Sequence, residues 1–116
     1  MRKILISYGY GAGWTSWNSG SIEFKSWLLT HPEIIEFIEN GNKFTRDDVS
    51  GKSIGSPPSH PLLRKLQEEA KEKFDVDYVC VLGATGLCVE EVDGPVHIEE
   101  YDGAESYRCP GDGEWL

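Results

Sequence analysis

The chain has 116 residues, 39% hydrophobic and 27% charged, with 11 Lys and Arg against 20 Asp and Glu and a net charge of −9. That length is one domain, the balance is that of a folded chain rather than a disordered one, and the acidic excess excludes the basic stripe that direct DNA or RNA binding requires. No apolar run approaches the roughly 18 to 20 residues of a membrane span, and Met1-Arg2-Lys3 leads into only Ile4-Leu5-Ile6, too short for a signal peptide, so a cytoplasmic protein is expected.

Lys3 to Ser7 reads as a short buried strand. It runs into a loop, Tyr8-Gly9-Tyr10-Gly11-Ala12-Gly13-Trp14-Thr15-Ser16-Trp17-Asn18, in which glycines alternate with large aromatics. Glycine lets backbone turn sharply or approach a ligand closely. Four aromatic rings on one loop need a cover: the core, a partner subunit or a flat ligand.

From Ser21 the spacing of Ile22, Phe24, Trp27 and Leu28 predicts an amphipathic helix, which Pro32 interrupts. Thr30 with Glu33 reads as a capping box for a second helix, whose inward face is Ile34, Ile35 and Ile38 and whose stop is Asn40-Gly41. Residues 42–59 show no sustained period and read as a long loop. A third helix is expected from Ser59 as N-cap and Pro61 in the first turn, with Leu62, Leu63, Leu66, Ala70 and Phe74 inward.

After Asp75 the pattern is strand and turn: Asp77–Leu82, Leu87–Val92, Val96–Tyr101 and Ala104–Tyr107, with Asp93-Gly94 and Asp102-Gly103 as hairpin turns. The expected fold is α+β: an N-terminal strand, two to three helices and a C-terminal antiparallel meander, forming one sheet with helices on one face. Residues 1–108 form the domain, and 109–116 a flexible tail. Cys80, Cys88 and Cys109 are odd in number with no C-x-x-C spacing, which predicts free thiols and no zinc site.

Several stretches carry a resemblance: Ile6 to Trp17, Pro61-Leu62-Leu63, Val89-Glu90-Glu91-Val92, and Ile98-Glu99-Glu100-Tyr101-Asp102-Gly103-Ala104-Glu105. In these the chain resembles a group of small proteins of tailed bacteriophages and prophage regions. That group opens with a strand and glycine-aromatic loop and ends in an I-E-E-Y-D-G-x-E meander. The resemblance implies a phage accessory protein and brings no reaction with it. It also implies a setting in which such proteins oppose host defence, some by sequestering nucleotide signals.

A strand, glycines and then a helix is the arrangement that cradles phosphate with backbone N–H groups, although Gly9-x-Gly11-x-Gly13 matches neither the dinucleotide fingerprint nor the P-loop. Tyr8, Tyr10, Trp14 and Trp17 have the chemistry to stack a base or to form a dimer face. Lys43, Arg46, Lys52 and Arg64 gather in or beside the long loop against the acidic trend, and an arginine fork matches phosphate. His60 is the histidine placed to close over a ligand.

The expected function is therefore non-enzymatic. The chain captures a small anionic ligand, a nucleotide and within that class a cyclic one, as a homo-oligomer that encloses it. Its expected ligand residues are Tyr8, Gly9, Tyr10, Gly11, Gly13, Trp14, Thr15, Trp17, Asn18, Arg46 and His60. No catalytic residue, metal or other cofactor is implied. Two alternatives stay open: an acidic surface that blocks a basic host protein, as an inhibitor or nucleic-acid mimic, and a small hydrolase using carboxylates among Glu90, Glu91, Glu99 and Glu100.

Overall fold

A computed structural model describes residues 2–9, 12–50, 58–101, 104–108 and 116. Its elements, in order, are β1 (Arg2–Ser7), a 3-10 turn (Thr15–Trp17), α1 (Ile22–Leu29), α2 (Pro32–Glu39), α3 (Arg46–Ser50), α4 (Pro61–Phe74), a second 3-10 turn (Leu82–Gly86), β2 (Leu87–Val92), β3 (His97–Tyr101) and β4 (Ala104–Arg108). The class is α+β. The expected single sheet is corrected to two antiparallel ladders, β1–β2 and β3–β4.

Side-chain alternation along β1 explains the layering. Leu5 enters a core with Phe24, Leu28, Ile34, Leu63 and Leu66 of the helices. Ile4 and Ile6 point the other way, into a second cluster with Val92, Val96 and Leu116, against which Ile98 and Tyr107 of the β3–β4 hairpin pack. A strand covered on both faces is apolar without interruption, which is why Ile4, Leu5 and Ile6 are all fully buried.

The meander breaks after β2. Arg2 donates to the carbonyl of Gly94 in the following turn. Pro95 has no N–H to extend a ladder, and Val96 exchanges both backbone bonds with Leu116, each 2.9 Å. Of the tail expected to be loose, residues 109–115 lie outside the described residues; Leu116 is buried.

The strand expected over Asp77–Leu82 is also corrected. Val79 and Cys80 are satisfied by side-chain amides instead of a neighbouring strand. Gln67 of α4 donates to Val79 O (2.6 Å) and accepts from Val79 N (2.8 Å). Asn18 does the same for Cys80, at 3.0 and 2.8 Å.

Helix ends differ from expectation in who caps. Ser21 caps α1 as its position suggests, accepting from Phe24 N. Thr30 belongs to the end of α1, its hydroxyl bonding Ser26 O. His31, not Thr30, caps α2, and His60, not Ser59, caps α4, each accepting through Nδ1 from a first-turn N–H. Within the expected loop, Thr45 and Asp48 form a reciprocal capping box that starts α3. Cys80 and Cys88 are free thiols; Cys109 and the Asp102-Gly103 turn lie outside the described residues.

Candidate functional site

The glycine-aromatic loop does gather backbone N–H groups around an anion, and the anion belongs to the protein. Glu105 of β4 is only 2% exposed. Its Oε1 accepts from Ser7 N (2.9 Å), and its Oε2 accepts from Trp14 N (2.9 Å), Ser16 N (2.9 Å) and the Ser16 hydroxyl (2.5 Å). Charge-assisted bonds from several backbone N–H groups are what stabilises a buried carboxylate. The donors expected to hold a phosphate at this point are already engaged by an internal carboxylate.

The loop's glycines serve backbone contact. A Cβ on Gly83 would meet Gly13 O at 2.3 Å, and one on Gly86 would meet Gly9 N at 2.9 Å. A Cβ on Gly13 would strike Ser16 Oγ at 2.3 Å. Two glycine-bearing segments, the loop and the 82–86 turn, thus lie directly against each other. Ser7 Oγ ties them together through Gly83 O at 2.8 Å.

The expected ligand residues separate into groups. Trp14, read as a stacking ring, is corrected to a core residue: it is fully buried, with Nε1 donating to Leu28 O at 3.0 Å. Asn18 is corrected likewise, its amide bridging Trp14 O and the Cys80 backbone. His60 is taken up by the α4 cap and sits edge-on against the stacked rings of Phe37 and Phe44. Arg46 is exposed on α3. Tyr10 and Gly11 lie outside the described residues.

Tyr8 and Trp17 remain at the surface, 44% and 42% exposed. Each leans on a carboxylate: Tyr8 OH donates to Glu90 at 2.8 Å, and Trp17 Nε1 donates to Glu100 at 3.3 Å. Partial burial, reinforced by Glu90, pushes the Tyr8 phenol well above its usual range, so it stays protonated at neutral pH. Glu99 pairs with Arg108 at 2.8 Å. The carboxylates of the hydrolase alternative therefore stand on two separate ladders, with Glu90, Glu99 and Glu100 each holding its own partner.

Beside Trp17 lies a cleft of about 240 Å³, lined by Thr15, Ser16, Lys25, His97 and Glu100, with Ile98 and Leu116 as its apolar part. Thr15 is 1% exposed, and its hydroxyl is the buried side-chain polar atom left without a hydrogen-bond partner among the described residues. Buried hydroxyls are ordinarily satisfied. Sequence reading named Thr15 but passed over Lys25 and His97. Spacing offered little help: Lys25 reads as a solvated helix position, and His97 only joins this group once β3 packs beside the 15–17 turn.

Glu105 was passed over as well, though a signal existed. In the register Ile98↔Tyr107 and Glu100↔Glu105, the two glutamates share the hairpin face that carries Ile98 and Tyr107 into the core. A carboxylate at an inward strand position calls for donors. Among the described residues no three His, Cys, Asp or Glu cluster as a metal site, and no helix is long and apolar enough to cross a membrane. No family model, curated protein or solved structure matches the chain.

Proposed function

We propose that this chain is a non-enzymatic protein that captures a small anionic ligand of the nucleotide class in the cleft between the 15–17 turn, α1 and β3. The observation that carries the reading is the unsatisfied Thr15 hydroxyl in a cleft that also presents Lys25 and His97. A buried hydroxyl without a partner lacks about 1–3 kcal/mol of hydrogen bonding, and a ligand oxygen reaching the back of the cleft would supply it.

The cleft is smaller than the roughly 300–1,000 Å³ of most organic-ligand pockets. It fits the phosphoryl or ribose-phosphate part of a nucleotide, with the base left to lie on the exposed ring of Trp17 at the rim. Stacking of this kind contributes about 1–3 kcal/mol per base. Glu100 accepts from Trp17 Nε1 at the edge of that ring, which puts a carboxylate beside the surface offered to a base. Set beside the phage resemblance of Ile98 to Glu105, such capture would withdraw a nucleotide signal, a cyclic one included, from host defence.

The acidic-mimic alternative draws less support. The described strands carry Arg2, Lys3 and Arg108 among Glu90, Glu91, Glu99 and Glu100, with Arg108 and Glu99 paired. That is a mixed-sign surface, whereas a nucleic-acid mimic needs a continuous acidic one.

Thr15→Val separates ligand capture from a structural role. It keeps the shape and removes the orphan hydroxyl, so the unliganded chain is expected to gain about 1 kcal/mol while nucleotide-induced thermal stabilisation is lost. Lys25→Ala and Trp17→Ala should keep the fold and weaken binding about tenfold each, or 1.4 kcal/mol. The reading fails if no cyclic or linear nucleotide raises Tm at high micromolar concentration.

A further inference from the structure

Among the described residues strand β2 has one partner, β1, and its other edge is open. Along an antiparallel ladder, pairs that bond each other alternate with pairs whose N–H and C=O groups point away. Tyr8 N donates to Gly86 O at 3.2 Å, which makes Tyr8–Gly86 a bonded pair. In the observed register the bonded pairs are then Ile6–Cys88, Ile4–Glu90 and Arg2–Val92. The pairs between them, Ser7–Leu87, Leu5–Val89 and Lys3–Glu91, point outward. Ser7 supports this assignment, since its N–H leaves the ladder for Glu105.

On β2, therefore, Leu87, Val89 and Glu91 present their backbone groups to the free edge. The Leu87 N–H bonds Ala84 O of the preceding 3-10 turn; among the described residues no hydrogen bond satisfies the Leu87 carbonyl or the Val89 and Glu91 backbone there. The edge opens into a groove of about 400 Å³, whose other wall is Ile38, Glu39, Gly41, Asn42 and Lys43, with Glu39 held by Lys3 of β1. A smaller hollow continues it past Leu87 and Lys43 towards Gly86.

We infer that β2 pairs with β2 of a second copy of this chain, antiparallel about a two-fold axis at Val89, joining two β1–β2 ladders into one four-stranded sheet. Charge favours a second copy as occupant and disfavours the register one residue further on. Centred on Val89, the pairing sets Leu87 opposite Glu91 of the other copy and Cys88 opposite Glu90, so no like charges meet. Centred one residue later, it would put Glu90 against itself, which is unfavourable. In the Val89 register the incoming Glu91 projects from the same sheet face as Leu87, beside Lys43, and the reciprocal pair forms across the axis. The acidic end of the strand thus meets the cation that lines its own groove. This places the expected homo-oligomer on a named surface and does not depend on the nucleotide cleft.

Sedimentation equilibrium on the full chain tests it. The expected result is a species of twice the 13.0 kDa chain mass. Val89→Pro removes an N–H that the monomer ladder does not use, and proline is tolerated at such edge positions; it should leave the circular dichroism unchanged and give a monomer. Lys43→Glu should weaken association at least tenfold, and adding Glu91→Lys to it should restore the dimer. A wild-type chain monomeric at millimolar concentration would overturn the inference, as would a V89P variant that folds and still dimerises. Should V89P not fold, the charge reversal and its rescue decide alone: equal association of wild type, K43E and K43E/E91K overturns the pairing.

Discussion

At the scale of single residues, the chain is organised around one carboxylate. Glu105 reaches from the last strand to the first strand and the loop after it, replacing water with three backbone N–H groups and a hydroxyl. Glu105→Ala should destabilise the fold by about 3–5 kcal/mol in urea denaturation, because buried donors lose a charged partner. Glu105→Gln should fall between, since an amide keeps one acceptor oxygen where the carboxylate has two. Gly83 offers an independent check on the same contact. Gly83→Ala drives a Cβ into Gly13 O and should cost about 1–3 kcal/mol from overpacking. Gly41→Ala meets no atom within 4 Å, so its cost should be confined to the roughly 1–2 kcal/mol of its left-handed φ.

These residues also show what one sequence can disclose. The glycines, the strand and the need for an anion beside them were all visible in Ser7 to Trp17. The source of the anion was not, because Glu105 lies about ninety positions away and only folding joins the two. Trp14 and Trp17 look alike in sequence. Which one is buried depends on α1 offering Leu28 O to an indole N–H.

At the scale of elements, α1, α2, α4 and the first, second and last strands follow local pattern closely, while α3, inside the expected loop, and Val79-Cys80 do not. The alternation at Val79-Cys80 suits a strand, yet the backbone there is satisfied by Asn18 and Gln67, one from the loop and one from α4. Side-chain amides that imitate a strand leave no periodic trace. Asn18→Ala should destabilise the chain by about 1–3 kcal/mol, and hydrogen exchange should quicken at the Cys80 amide while β1 amides lag. The α3 cap adds a pH-dependent case. The Thr45 N–H on its carboxylate holds Asp48 below the usual carboxylate range of about 3.9. The folded state favours the ionised form, so the cap contributes fully above that range and is lost as pH falls through the lowered value. Carboxyl and amide NMR shifts of residues 45–50 should move together over that acid window, and Asp48→Asn should abolish the effect.

At the scale of the whole molecule, β1–β2 is the middle layer, helices cover one face, and the β3–β4 hairpin covers the other. The hairpin therefore does two things at once: Ile98 and Tyr107 close the second core, and Glu105 and His97 reach the loop and cleft beside β1. That division into layers was not legible, because Asp93-Gly94 reads equally well as a hairpin turn and as a crossing between layers. The acidic excess argued against a nucleic-acid backbone as ligand, but it gave no view of Lys25 and His97 meeting at one cleft.

Native mass spectrometry of the chain purified from cells, with and without a panel of cyclic and linear nucleotides, tests capture most directly. The account predicts stoichiometric retained ligand mass that disappears in Thr15→Val and Lys25→Ala. A clean unliganded mass with every nucleotide, or retention unchanged in both variants, would contradict it.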